Sequence, residues 1–285
     1  MTKRESKTRS LWVRRLRRFL PHYLRNHAIL REFHGRADVV LHGSTSLGVD
    51  DPASDIDLWF LLGDDALAKL DDSSETRFFE FELCGKPAHL NAESSRDFLR
   101  RVERCDMPLI SELRNAVVVL RNHSAGRTLI RRARKPMKPA VRTAFFFHHY
   151  VEMRGFHKSC RGPMARKDGF AVLLGLAQTL SHALQAAMVL DGEPYPYEKW
   201  LRAAASRTRT GRKLAPMVDR LLDVLAAGGL RSAGPDAENP VNQELWTIRE
   251  TLIRAARKVR IREPWLDTWW FHMTRARDAV RNIRW

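Results

Sequence analysis

The sequence predicts an α+β protein in which a small mixed-sheet domain is followed by a helical bundle. Segments with strand character are confined to residues 36–93, and from about residue 95 the apolar positions recur at helical spacing instead. Charge follows the same division. Residues 1–35 hold ten Lys/Arg against two Asp/Glu, residues 36–97 five against fourteen, and residues 98–285 thirty-five against seventeen, within a net +17. An acidic segment therefore lies between two basic ones, a distribution that suits divalent cations beside phosphate-binding surfaces.

In chain order, residues 9–33 read as an amphipathic helix, with Leu16, Phe19, Leu20, Tyr23 and Leu24 against Arg14, Arg15, Arg17, Arg18 and Arg25. Pro21 lies inside that pattern and is expected to kink or divide it. Val39-Val40-Leu41 reads as a short buried strand, followed by the turn-rich Gly43-Ser44-Thr45-Ser46-Leu47-Gly48. A second strand is expected over 55–62, and two more over 77–83 and 87–93, joined by a turn at Gly85-Lys86-Pro87. Helices are predicted near 95–104, 124–134, 139–157, 168–190, 196–206, 211–227, 241–259 and 267–283, punctuated by Pro136, Pro139, Gly155, Pro194 and Pro196. The expected division is 1–105 for the sheet domain with its basic N-terminal helix, and 106–285 for the bundle.

With 285 residues, 44% of them hydrophobic, two domains are a fair expectation. The longest apolar run, Phe170 to Ala177, is far short of a membrane span, so no membrane partner is expected. The arginine-rich start has no signal-peptide pattern, and the three separated cysteines Cys84, Cys105 and Cys160 suit a reduced compartment, so the expected location is cytoplasmic.

The chemistry concentrates in Leu41-His42-Gly43-Ser44, then ten residues, then Asp55-Ile56-Asp57 leading into an apolar strand. Asp55 and Asp57 alternate along a strand and project from one face, roughly 6–7 Å apart at the backbone. Such a pair can hold Mg²⁺ together with substrate phosphates, and such ions stabilise in-line phosphoryl displacement. Glycine at a turn after a buried strand lets backbone N–H groups approach a phosphate, and the Ser44 hydroxyl can donate to it.

This combination resembles the signature of the nucleotidyltransferase-fold superfamily, related to the catalytic core of DNA polymerase β. The resemblance implies that Gly43 and Ser44 bind a nucleoside triphosphate, and that Asp55 and Asp57 ligate one or two Mg²⁺ ions, with Mn²⁺ an alternative. The motif part covers about residues 36–93; the helical remainder is similar in plan to the aminoglycoside-type bacterial enzymes. Family members usually place a third carboxylate on a later strand. The corresponding position here is His89, with Glu93 the carboxylate on the same strand face, and Glu80 and Glu82 on the preceding strand. Glu93 is the expected third catalytic group; His89 in that role, or no third group at all, are the alternatives.

Other features carry less. Arg142 and His148 have the Arg-x5-His spacing of a family of helical ribonucleases, but eleven histidines and abundant arginine produce such spacings freely. The basic run Arg131 to Lys138 reads equally as a phosphate contact and as a solvated helix end. Lys199 is a candidate phosphate or acceptor contact by resemblance to the stretch Asp191–Trp200. Trp265, Trp269 and Trp270 match helical core packing, and Asp168 reads as a helix cap. The expected activity is Mg-dependent transfer of a nucleoside monophosphate, AMP from ATP, onto a hydroxyl of a small acceptor. Transfer onto RNA or an acidic protein partner, or a catalytically impaired nucleotide-binding module, are the alternatives. A bundle near +18 argues against a polycationic acceptor.

Overall fold

The computed structural model describes residues 3–47, 51, 53–229 and 239–285. The chain divides into two compact units, residues 1–135 and 136–285. The first is a mixed sheet clothed by helices and the second is helical throughout, the α+β architecture expected. The division falls thirty residues past the expected position of 105. The reason is that Val117–Leu120 forms a fifth strand, β5, and the following helix, Ala125–Ala133, folds back beside the sheet.

The first unit opens with α1, Lys3–Asn26, which runs on through Pro21 as one helix. Leu16, Leu20 and Leu24, at i, i+4 and i+8, are completely buried against the sheet. Then come β1 (Asp38–Leu41), the short α2 (Gly43–Leu47), β2 (Ile56–Leu62), α3 (Asp64–Ser73), β3 (Phe78–Leu83) and β4 (Lys86–Ser94). Helices α4 (Ser95–Glu103) and α5 (Met107–Asn115) lead to β5 and then α6 (Ala125–Ala133). The strand order is β3-β4-β2-β1-β5, with β2 and β4 parallel and the other neighbours antiparallel.

Strand alternation sorts the side chains. Ile56, Leu58, Phe60 and Leu62 of β2, with Ala88, Leu90 and Ala92 of β4, enter one core with α1. Asp57 and Trp59, and His89, Asn91 and Glu93, occupy the other face, where Phe98 of α4 meets the Trp59 ring edge-on at 5.0 Å.

Asp38 anchors the far edge. It is fully buried, and its carboxylate accepts hydrogen bonds from the backbone N–H groups of Asn122 (2.9 Å), His123 (2.8 Å) and Gly126 (2.9 Å). These bonds satisfy donors at the start of α6 and tie that helix to β1. Asp38→Ala orphans all three; an expected loss of about 3 kcal/mol, read as a lower urea midpoint at unchanged slope, follows from the cost of buried unsatisfied donors.

The second unit contains α7 (Pro139–Ser159), α8 (Arg161–Ala165), α9 (Gly169–Leu190), α10 (Glu198–Ala205), α11 (Gly211–Val224), α12 (Pro240–Lys258) and α13 (Met273–Arg281). Asp168 caps α9 as expected, accepting from the Ala171 N–H at 3.1 Å. By length and composition α9 is apolar enough to cross a membrane; half of that stretch is buried, and it packs along α7. Glu152 of α7 accepts two hydrogen bonds from Arg277 of α13, at 2.6 and 3.3 Å. Burial pushes the Glu152 pKa up, but the Arg277 hydrogen bonds and charge, with the neighbouring His148 and His182, together hold it below the usual range. Trp265 and Trp269 are buried as expected, whereas Trp270 is 48% exposed. The helix predicted over 267–283 starts only at Met273, and a 3₁₀ turn over Trp269–His272 swings the second indole outward.

Buried histidines set an acid limit on this unit. His149 Nδ1 lies 2.9 Å from His182 Nδ1, and His149 Nε2 lies 3.0 Å from the Tyr195 hydroxyl. Burial, reinforced by neighbouring histidines, lowers His149 well below its ordinary 6.5 and brings His182 to about 4. His157 is likewise lowered to about 4, by burial and then by Arg154. Unfolded, these rings take a proton near 6.5; folded, His157 and His182 stay neutral down to about 4, and His149 stays neutral well below its ordinary range. Across that window the unfolded chain binds more protons, so stability is complete above 6.5 and declines as pH falls toward 4. The thermal midpoint should drop steadily between pH 6.5 and 4, and His182→Gln should flatten the slope.

Candidate active site

Three short segments converge at one end of the β2–β4 pair. The first is the β1 exit. His42 donates its N–H to the Asp57 carbonyl at 3.0 Å, which keeps the chain beside β2 as it leaves the sheet. Gly43 then adopts φ +67, in the left-handed region, where a Cβ would collide with Asp57 Oδ2 and lie 3.1 Å from Asp57 Cβ. Only glycine lets the turn pass this close beneath the carboxylate. Ser44 follows, 4% exposed, and Ser46 Oγ closes the turn by donating to the Gly43 carbonyl at 2.9 Å.

The second segment is the approach to β2. Ser54 and Asp51 exchange hydrogen bonds, with Ser54 Oγ donating to Asp51 Oδ1 and accepting from the Asp51 N–H, each at 2.9 Å. Lys86 Nζ reaches across from the start of β4 to the carbonyls of Asp51 (2.7 Å) and Ser54 (3.0 Å). Asp55 sits just before the strand and Asp57 just inside it, so both carboxylates face the same way. The rest of the Gly43-to-Asp55 connection, residues 48–50 and 52, lies outside the described residues.

The third segment is β4. Parallel pairing sets His89 beside Asp57. His89 Nδ1 lies 3.2 Å from Asp55 Oδ2 and 3.9 Å from Asp57 Oδ1, while Nε2 lies 3.6 Å from Glu80 Oε1 on the other neighbour, β3. Asp55, Asp57 and His89 each offer an atom within 4.8 Å of the others, the one group of this kind among the described residues. The cluster is partly open: the Asp55, Asp57 and His89 side chains are 41, 23 and 22% exposed.

Glu93, the expected third group, is not part of this cluster. It pairs with Leu61, four residues along β4 from His89, which is roughly 13 Å of strand. It is half-buried, its pKa raised by burial against the lowering pull of Arg101 and Arg77. Glu82 lies opposite Pro87 at the far end of the hairpin, so Glu80 is the acid of β3 that reaches His89. Of the other sequence candidates, Arg142 and His148 share α7 with no contact between them among the described residues, and Lys199 is exposed beside Trp200. The basic run from Arg131 ends α6; there Arg132 pairs with Glu103 at 2.8 Å and Arg134 donates to the Arg114 carbonyl at 3.0 Å.

Behind the carboxylates lies a layer that sequence reading missed. The His42 ring stacks on Trp59 with centroids 3.8 Å apart, and its Nδ1 is 3.3 Å from Glu112 Oε2 of α5. That contact lacks hydrogen-bond geometry, and both His42 ring nitrogens are buried without a hydrogen-bond partner. Glu112 carries no local signal because its position depends on how α5 docks beside α2.

Residues 27–102 match the nucleotidyltransferase domain family. The matched segment runs from the end of α1 to α4 and includes Gly43, Ser44, Asp55, Asp57 and His89. That segment is thus a nucleotidyltransferase domain, which supports the enzyme class expected from the sequence. Among solved structures, a nucleotidyltransferase-like protein from Exiguobacterium sibiricum 255-15 is similar, with 12% identity and a TM-score of 0.44 over 94% of this chain and 81% of that one. No curated protein sequence matches the chain.

Gly43→Ala should place a methyl group against the Asp57 carboxylate in a backbone conformation alanine resists. The expected result is a rise of at least about tenfold in the divalent cation concentration needed for half-maximal activity, with a loss of stability of about 1–2 kcal/mol. Cation titration and thermal melting of the same preparation check both.

Proposed function

We propose that the chain transfers a nucleoside monophosphate, AMP from ATP, onto a hydroxyl of a small acceptor, with Mg²⁺ as the metal. The observation that carries this reading is the Asp55–Asp57–His89 cluster beside the Gly43 turn. Its donor set fits a divalent cation: two carboxylate oxygens suit Mg²⁺, and an added imidazole nitrogen extends the match to Mn²⁺. When bound, the cation neutralises charge on the phosphates and polarises the reacting phosphorus.

The protein's own groups do the remaining work. Asp55 and Asp57 hold the cation from one strand face, and the Gly43–Ser44 backbone and hydroxyl orient the triphosphate. The acceptor oxygen bonds to the α-phosphorus as the bond to the pyrophosphate oxygen breaks, and the acceptor proton leaves to a neighbouring base. His89 stands where the family's third carboxylate usually stands, with Glu80 behind its other ring nitrogen. It acts as a nitrogen ligand to the cation. Transfer onto RNA is a second reading, favoured by the thirty-five Lys/Arg of residues 98–285.

Incubation with each α-labelled nucleoside triphosphate, Mg²⁺ or Mn²⁺ and a small-metabolite extract tests the reading. Label should enter a small product from ATP, and Asp55→Ala or Asp57→Ala should each lower turnover by about 10²–10³-fold, the usual cost of removing charge stabilisation from a preorganised site. Turnover that persists in the double variant rejects the assignment. Label recovered in RNA, with binding that weakens steeply as salt rises, selects the second reading.

A further inference from the structure

The helical unit contains a cationic cavity of about 330 Å³, walled by indoles, none of whose residues belongs to the Asp55–Asp57–His89 cluster. Arg154, His157, Lys158 and Arg161 follow one another at i, i+3, i+4 and i+7 from the last turns of α7 into α8, so all four face the same way. Opposite them stand Asn242 and Trp246 of α12 and Trp269 and Trp270 of the 3₁₀ turn.

Arg154 is the unusual member. It is 9% exposed, and among the described residues no carboxylate pairs with it. Its Nη1 donates to His157 Nδ1 at 3.2 Å, while Nε is buried with no hydrogen-bond partner. The guanidinium carbon lies 4.7 Å from the Trp246 ring centroid and 5.6 Å from that of Trp269. Lys158 Nζ is 5.8 Å from Trp269, and among the described residues neither Lys158 nor Arg161 has an acidic partner. The nearby acids Glu250 and Asp267 are engaged by Arg249, at 2.6 and 3.5 Å. A buried guanidinium without a counter-charge is costly unless an anion completes it. Three cations with no acid among them supply that anion's site, and Arg is the cation best matched to the oxygens of a phosphate.

The walls narrow the choice of anion. Trp246 and Trp270 are 41 and 48% exposed, large apolar rings at the cavity mouth. Indole faces take planar rings by stacking, in a sequence-tolerant way for nucleobases. The cavity holds one nucleotide and no longer chain.

We propose that this cavity is a second ligand site, specific for a small planar aromatic phosphate of the nucleoside monophosphate class. The base stacks on Trp270, while Trp246, already covered by Arg154 and Arg249, forms the wall that holds Arg154 in place; the phosphate rests on Arg154, Lys158 and Arg161. The site stands independently of the transfer reading, because its residues all lie in the helical unit.

Calorimetric titration of the full chain with AMP, in EDTA and in an Asp55→Ala/Asp57→Ala background, tests it without involving the sheet cluster. Saturable binding is expected; Lys158→Ala/Arg161→Ala should weaken it by about 10–100-fold, the worth of charge-assisted hydrogen bonds. Trp270→Ala should weaken it by about tenfold through lost stacking. Inorganic phosphate and adenosine should each bind at least about tenfold more weakly than AMP. Absence of AMP binding, or binding unchanged by Lys158→Ala/Arg161→Ala, overturns the site. Phosphate binding as tightly as AMP overturns its aromatic specificity, and adenosine binding as tightly overturns the anion assignment. The paired lysine and arginine are exposed, so that variant keeps its fold and the comparison stays interpretable.

Discussion

The parallel pairing of β2 with β4 is the constraint on which the first unit depends. Its register puts Asp57 beside His89 and, one residue on, Leu58 beside Leu90. Because side chains alternate strictly, the same register that closes the core against α1 also gathers the polar cluster on the opposite face. A slip of one residue would drive His89 into the leucine layer and turn Leu90 to the open side. The site therefore owes its geometry to the burial of Ile56, Leu58, Ala88 and Leu90 at 0% exposure as much as to its own charges.

That dependence explains what could be read from sequence. Gly43, Ser44, Asp55 and Asp57 are set by short-range rules: a turn after a buried strand, then alternation along the next. The longer helices after residue 95 were equally legible, since long 3.6-residue patterns survive any docking arrangement, whereas the short α5 and α8, with few turns to show a period, were not expected. The third member of the cluster was not. Choosing between His89 and Glu93 requires the β2–β4 register, a contact across some thirty residues of chain that contain a helix and another strand. The fifth strand was missed for a related reason: Val117–Leu120 is only four residues long, with no polar alternation, and is defined by its pairing with β1. The cationic cavity is more hidden still. The four α7–α8 residues form a visible helical stripe, but a basic stripe ordinarily means a solvated face. Only the docking of Trp246 and the 3₁₀ turn buries Arg154 and turns the stripe into a wall.

The two units handle charge differently. Around the sheet, Asp38 is neutralised by backbone donors and His89 stands among Asp55, Asp57 and Glu80, so charge is met locally. In the helical unit Glu152 has Arg277, but Arg154 and Lys158 meet indole faces, and Arg154 also a neutral histidine. Ring faces attract cations, but they do so weakly compared with a carboxylate or phosphate. Residues 1–135 carry 25 Lys/Arg against 19 Asp/Glu, and residues 136–285 carry 25 against 14, so the excess of cations is larger in the helical unit.

The Lys86 ammonium joins three parts of the first unit. It sits 5.8 Å from the Trp12 ring of α1, at the root of the β3–β4 hairpin, and holds the two carbonyls just ahead of Asp55. Trp12 is itself 6% exposed within the core. Acylation of this one amine would remove the charge that clasps the loop and leave a bulkier neutral group against the indole. The first helix would then lose its grip on the loop that leads into the aspartates, so a chemical mark on this one amine would be felt as slack in the carboxylate pair.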